Sequence, residues 1–243
     1  MLRKWEDLPD FMRIPEVRPY WEALNKKRGQ LLLKRGFDFV VALILFALLA
    51  VPMAIIAILI KGDSDGPVFY RQERVTTYGK HFRIHKFRTM VTNADKIGTA
   101  VTVGNDARIT KIGSKLRRLR LDELPQVIDV LQGNMSFVGT RPEAVKYVEQ
   151  YKPEYYATLL MPAGITSECS IRYKDEERLL KRNSVVSVDN TYTNVILPEK
   201  MKLNLKGILE FSAYSDLSVM VRTVQAVIGK DSDKCRKSNK IND

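Results

Sequence analysis

The sequence predicts an α+β protein: a small, mainly helical cytosolic domain with a short β-hairpin, attached to a membrane by an N-terminal re-entrant helix kinked at a proline. Three observations predict this. The run Phe39 to Ile60 carries no charged residue and matches the roughly 20 residues that a membrane helix requires. Two short stretches, "GPVFYRQERV" and "HFRIHKFRTM", flank the turn "TTYGK" and read as paired strands. Most of the remaining chain keeps helical spacing. The expected boundaries are an N-terminal extension over 1–30, a membrane-embedded helix or helical hairpin over 31–62, a cytosolic domain over 63–230 and a disordered polar tail over 231–243.

Residues 1–30 mix charges with prolines and two tryptophans, and "PYWEALNKKRGQLLLKR" reads as a short amphipathic helix lying against the membrane or the domain. In the apolar run no polar face recurs at a helical period, which argues against a soluble core helix. A plain span should carry lysine and arginine mainly on its cytoplasmic side. Here Lys26, Lys27, Arg28, Lys34 and Arg35 precede the run and Lys61, Arg71 and Arg74 follow it. Pro52, in mid-run, removes a backbone hydrogen bond and bends a helix. Both features fit a hairpin that enters one leaflet and returns, with a plain span as the alternative. Carbonyls freed at the bend need shielding from lipid.

The strand period of two places Phe82, Ile84, Lys86 and Arg88 on one face, so that two cations point toward the edge of a site. The alternative is a solvated basic strand. From residue 93 to 120 the pattern is helical around a loop at Gly104 and Asn105. Ile112, Leu116 and Leu119 keep helical spacing there, and Arg117 and Arg120 share a face. Beyond 143 a helix is interrupted near Pro153, and "MPAGITSECSIRY" reads as loop and short extended segment. "KDEERLLKR" is a charged helix, and residues 210–229 form an amphipathic one.

Composition narrows the chemistry. The chain has 243 residues, a formal net charge of +12 and a pI of about 9.6, a balance that suits nucleic acid, an acidic membrane surface or phosphorylated substrates. Cys169 and Cys235 form no CxxC pattern, and His81 and His85 lie in a strand rather than on one helix face, so a disulfide framework or a histidine metal site is not expected.

The stretch "LDELPQVIDVLQGNMSFVGTRPE", residues 121–143, sets Asp122 beside Glu123 within a strongly basic chain. Asp at a helix N-cap, followed by proline in the first turn, is ordinary helix punctuation. Two features argue for more. Arg117, Arg118 and Arg120 precede the acids and Arg141 follows them, a setting suited to phosphate oxygens with a divalent cation beside the carboxylates. The turn Gly139-Thr140-Arg141-Pro142 permits close backbone approach to a ligand. A carboxylate can attack phosphorus to give an acyl phosphate. Adjacent acids do not suit glycoside hydrolysis, whose carboxyls stand roughly 5 to 9.5 Å apart across the scissile bond.

The same stretch resembles the signature of the bacterial sugar transferases, the monotopic phosphoglycosyl transferases acting on polyprenyl phosphate. The likeness begins near "LKRGFDFVVALI", passes through "GPVFYRQERV", "FRIHKFRTM" and "NDARIT", and covers roughly residues 31–230. It implies transfer of a sugar-1-phosphate from a UDP-sugar to undecaprenyl or another polyprenyl phosphate, with release of UMP. This is the first lipid-linked step of exopolysaccharide, capsule or glycoconjugate synthesis. Residue by residue it implies Asp122 as nucleophile and Glu123 as its Mg2+-associated partner. It also implies Lys86, Arg88, Arg117, Arg141 and Pro142 as phosphate and nucleotide contacts, and Pro52 as the membrane bend. Location at the inner (cytoplasmic) membrane with the catalytic domain facing the cytosol is implied as well. Membrane lipids are expected partners, and a homo-oligomer is left open. Nucleic acid is not expected, because aromatic residues do not interleave with the basic ones as a single-strand binder needs.

Three departures stand out. Thr140 replaces the usual proline of Gly-Pro-Arg-Pro, Val51-Pro52 replaces Ser-Pro at the bend, and "PAGITSECSIRYKDEERLL" replaces the commoner Pro-Gly-Ile-Thr-Gly continuation. The two rival readings are a polybasic membrane-anchored binding protein and a phosphohydrolase using the same acids.

Overall fold

A computed structural model of the chain describes residues 2–94, 106–173 and 188–228. The loop expected at Gly104 and Asn105, the charged helix over 174–182 and the polar tail lie outside the described residues.

The N-terminal segment folds onto the domain. Two 3-10 turns, Trp5–Asp7 and Asp10–Met12, lead into helix α1 (Arg18–Asn25), which has a proline in its first turn. Leu2, Leu8, Met12, Val17 and Leu24 are buried in a core shared with Tyr147, Tyr151, Tyr155, Tyr192 and Met201. Trp5 and Trp21 meet edge to face at 5.6 Å.

Helix α2 runs from Arg28 to Asp63 and continues through Pro52 without interruption, so the expected kink is not seen as a break. At 36 residues it is about 54 Å long. Its buried residues, Lys34, Asp38, Ala42, Met53, Ile56 and Ile60, follow one face at helical spacing, and Leu45 and Leu49 fill the gap between them. The opposite face is apolar and exposed, with Leu43, Ile44, Leu48, Val51, Ile55 and Ile58 at the surface. By length and composition the helix can cross a membrane.

Strands β1 (Phe69–Val75) and β2 (His81–Phe87) form the expected antiparallel hairpin, with Tyr70 opposite Lys86 and Arg74 opposite Phe82. Helix α3 (Lys111–Arg118) is capped by the Thr110 hydroxyl, which accepts from the Gly113 N–H at 3.0 Å. Helix α4 (Gln126–Leu131) follows, and then strand β3 (Met135–Val138). A short helix α5 (Val145–Val148) and a 3-10 segment (Pro153–Leu160) precede strand β4 (Ala163–Thr166), which pairs with β3 in parallel. This second sheet is a departure from the single hairpin expected. It brings Gly139 and Gly164 so close that a Cβ on Gly164 would meet the Gly139 backbone at 2.2 Å.

After α6 (Glu168–Arg172) the described chain resumes with α7 (Val188–Thr191), a π turn (Tyr192–Ile196), α8 (Leu197–Leu209) and α9 (Ala213–Ile228).

Both ends of α2 are tied to the same body. Near its start, Lys34 Nζ contacts Asp216 Oδ2 on α9 at 2.5 Å and Ser136 Oγ on β3 donates to Asp38 Oδ2 at 2.6 Å. Arg35 donates to the Val130 carbonyl of α4 at 2.9 Å. At its end, the Ile112 N–H of α3 donates to Asp63 Oδ2 at 3.0 Å.

Leu24 is fully buried, so Leu24→Ala should destabilise the protein by about 2–5 kcal/mol in denaturant unfolding of the detergent-solubilised chain. A loss below about 1 kcal/mol would show that the N-terminal segment is not part of the cooperative core.

Candidate active site

The acidic pair sits in a 3-10 turn, Leu121–Glu123, between α3 and α4. This corrects the expectation that Asp122 caps a helix: α4 begins only at Gln126, with Pro125 in the cap position. The turn is entered through Arg120, whose φ of 57° is left-handed, a conformation costing an L-residue roughly 1–2 kcal/mol. Since α3 ends at Arg118, Arg117 and Arg120 do not share a helical face as the sequence suggested.

Glu123 is clamped by two cations. Lys86 Nζ on β2 lies 2.8 Å from Glu123 Oε1, and Arg141 Nη2 reaches the same oxygen at 2.5 Å. Burial opposes ionisation of Glu123, but Arg141 and Lys86 outweigh it and hold the carboxyl well below its ordinary value. Lys86 is itself shifted down, first by burial and then by Arg141 and Arg74, against the pull of Glu123. Asp122 moves the other way: burial raises it first and the Glu123 charge adds to that, while Lys86 and Arg117 pull it down. No ion pair joins Asp122 to another described residue. Two adjacent acids are thus driven apart, one fixed as a carboxylate and one made more basic, which is how a site assigns them different tasks.

The Gly139–Pro142 loop is held on the second sheet. Gly139 N–H donates to the Thr166 carbonyl at 3.0 Å, and Gly164 N–H donates to the Thr140 carbonyl at 2.8 Å. These bonds present Arg141 to Glu123.

Of the residues singled out from the sequence, Asp122, Glu123, Lys86 and Arg141 come together, with Pro142 beside them and Arg117 acting on Asp122 through its charge. Arg88 takes another position. It is buried, and its guanidinium donates to the Asp65 carbonyl at 2.7 Å and the Ser64 carbonyl at 2.6 Å, at the C-terminal end of α2. Sequence reasoning missed Arg74, which donates to the Pro142 carbonyl at 3.2 Å. Burial lowers its pKa, Glu143 opposes that, and Arg141 adds to it. Alternation along β1 would have placed Arg74 two pairs from Tyr70, on the face of Lys86. His85, on the opposite face of β2, binds buried Asp129 of α4 through Nδ1 and through its backbone N–H, each at 2.8 Å. That pair fixes β2 against α4, the two elements that carry Lys86 and follow the acidic turn.

Among the described residues no cluster of three acidic, histidine or cysteine side chains could hold a metal. The Asp122–Glu123 pair nevertheless offers the hard oxygen donors that Mg2+ takes, one or two carboxylates completed by substrate phosphate and water. Lys86 and Arg141 both meet Oε1 of Glu123, so its Oε2 takes part in neither contact.

The two carboxylates, the cations beside them and a loop fixed by two close glycines form one polar site, in a chain that also carries a helix long and apolar enough to cross a membrane. The chain belongs to the bacterial sugar transferase family, whose model matches residues 29–230. It is similar to the UDP-glucose:undecaprenyl-phosphate glucose-1-phosphate transferase of Escherichia coli (strain K12), at 37% identity over 198 residues, covering 79% of this chain and 39% of that protein. It is also similar to the UDP-N-acetylgalactosamine-undecaprenyl-phosphate N-acetylgalactosaminephosphotransferase of Aeromonas hydrophila, at 32% identity, covering 81% of this chain and 44% of that protein. The exopolysaccharide production protein PSS of Rhizobium leguminosarum bv. phaseoli is 42% identical over 149 residues, 58% of this chain and 74% of that protein. The chain spans about two-fifths of the length of the first two relatives.

The opposite shifts predict opposite effects on stability. A carboxyl whose value is raised in the fold, as for Asp122, favours folding at low pH, and that contribution is lost as pH rises through its folded value. At pH 7 Asp122→Asn should therefore raise Tm, on the order of 2–4 °C, with the gain closing below about pH 4. Glu123→Gln should lower Tm at pH 7, because a depressed carboxyl stabilises above its unfolded value. Thermal unfolding across pH 4–8 checks both, and a destabilising Asp122→Asn would contradict the assignment.

Proposed function

We propose that the protein transfers a sugar-1-phosphate from a UDP-sugar to a membrane polyprenyl phosphate through a covalent intermediate on Asp122. The observation that carries this reading is the division within the acidic pair: the more basic carboxylate is left to attack, while its neighbour is neutralised by Lys86 and Arg141. Family membership and the activities named for the relatives support it.

In the first step an Asp122 carboxylate oxygen attacks the sugar-bearing phosphorus of the donor. A bond from oxygen to phosphorus forms, the bond to the bridging oxygen breaks, and UMP leaves with that electron pair. In the second step a phosphate oxygen of the polyprenyl phosphate attacks the same phosphorus, and Asp122 returns as a carboxylate. Lys86 and Arg141 hold Glu123 ionised and offer N–H donors to phosphate oxygens. Arg117 adds positive charge on the Asp122 side. Mg2+, held by Glu123 with Asp122 beside it, would neutralise diphosphate charge when bound. Replacement of Asp122 by Asn should abolish lipid-dependent UMP release from a UDP-sugar, whereas Glu123→Gln should slow turnover and raise the Mg2+ requirement. Without added lipid phosphate UMP release should stop at about one equivalent per protein, the yield of the first step; continued release without lipid would point instead to hydrolysis.

The membrane seat follows from α2. A helix crossing the roughly 30 Å hydrocarbon layer would separate its two ends, yet both ends bond to one body. That supports a seat in which both ends of α2 stay on a single face of the bilayer, and we take that face to be the cytosolic side of the inner membrane. Exposed Tyr214, Leu217, Val221 and Val224 on α9 continue the apolar surface beside Lys34 and Asp216, as expected of a helix lying at headgroup level. Cysteines introduced before residue 28 and after residue 64 should be labelled from the same side in intact cells. Labelling from opposite sides would overturn the single-face arrangement.

A further inference from the structure

Behind the Gly139–Pro142 loop lies a buried group of ionisable side chains that the transfer chemistry does not use. Glu143 follows Pro142 directly and is 6% exposed. Tyr192 Oη donates to Glu143 Oε1 at 2.7 Å, Lys200 Nζ donates to the same oxygen at 3.2 Å, and Lys200 Nζ also donates to Tyr192 Oη at 2.8 Å. Lys200, like Glu143, is buried at 6% exposure.

Both partners arrive from a distant part of the chain. Tyr192 opens the π turn and Lys200 lies in the first part of α8. Eight residues of regular α-helix would leave their side chains about 80° apart around the axis. The wider π turn between them changes that phase, and both side chains meet one carboxylate. Tyr192 is packed against Tyr147 with ring centroids 4.6 Å apart, in the core that also holds the N-terminal segment.

The other side of the same short segment is fixed by β1. The Val75 N–H donates to the Glu143 carbonyl at 3.1 Å, and Arg74 donates to the Pro142 carbonyl at 3.2 Å. Residues 142–143 are therefore held between β1 and α8, and Arg141, one residue earlier, reaches Glu123. A buried carboxylate deprived of one cation is left uncompensated. The segment must then shift or take up a proton, and Arg141 moves with it.

We propose that Lys200 and Tyr192 are positioning residues of the transfer site: by holding Glu143 they set Pro142 and Arg141 against Glu123 on the donor-nucleotide side. This rests on the transferase reading, and the test separates the two. UMP binding to the detergent-solubilised full chain is measured by titration calorimetry, alongside steady-state kinetics with a UDP-sugar and undecaprenyl phosphate. A wild-type chain that neither binds UMP nor releases it would sink the transferase reading and this inference with it.

Given an active wild type, Tyr192→Phe should weaken UMP binding and raise donor KM by about threefold to tenfold, the effect of one lost hydrogen bond. Lys200→Met should do so by more than about tenfold, with undecaprenyl phosphate KM within about twofold of wild type. Tyr192→Phe keeps the ring on Tyr147, so it reads the clamp even where Lys200→Met fails to fold. Unchanged UMP affinity in folded Tyr192→Phe, or equal losses for donor and lipid acceptor, would overturn the assignment.

Discussion

The site depends on one carboxylate held between two cations. Glu123 accepts from Lys86 on the hairpin and from Arg141 on the glycine loop, so three segments distant in sequence converge on a single oxygen. An ion pair this shielded is stable only while both partners stay in place, because removal of either leaves a charge without compensation. Each neighbouring element serves that requirement. The His85–Asp129 pair fixes β2 against α4, the close glycines seat the Arg141 loop on β4, and α8 supports the loop from behind. Asp122 beside Glu123 is raised, first by burial and then by the Glu123 charge, so it is the more basic of the two acids.

Helix α2 is part of the same arrangement. Arg88, two residues after the strand residue Phe87's neighbour Lys86, binds the carbonyls at the end of α2. Asp63 at that end accepts from the Ile112 N–H in the first turn of α3, which leads into the acidic turn. The start of α2 is held by α9 and β3 through Lys34 and Asp38. Helix α2 and the acidic site therefore share contacts: a displacement of α2 would be felt at Lys86 through β2 and at Asp122 through α3. This suits a reaction in which one substrate arrives from water and the other is anchored in lipid.

Much of this was legible in the sequence because local pattern and global structure agree. The apolar run forms one long helix and "TTYGK" turns an antiparallel hairpin, as their local composition and period suggest. What was not legible depends on contacts between distant segments. Arg88 and Lys86 share a strand face, but only the position of α2 sends Arg88 to helix carbonyls. The β3–β4 pairing joins two four-residue strands, too short for periodicity to announce. Over 188–209 Pro198 and scattered lysines and asparagines blur the helical pattern. That stretch supplies the Lys200 and Tyr192 contacts that back the loop. Asp followed by proline ordinarily marks a helix cap, whereas at Asp122 the chain enters a tighter turn through the left-handed Arg120.

The central claim is that Asp122 carries the phosphosugar between the two substrates, and rapid quenching tests it most directly. The protein is mixed with UDP-sugar and Mg2+ in the absence of lipid phosphate, stopped in acid and analysed by intact and peptide mass spectrometry. The account predicts a glycosyl-phosphoryl adduct on the peptide containing Asp122, lost on addition of polyprenyl phosphate and absent from Asp122→Asn. An active sample that never shows the adduct, with kinetics requiring both substrates bound together, would contradict it.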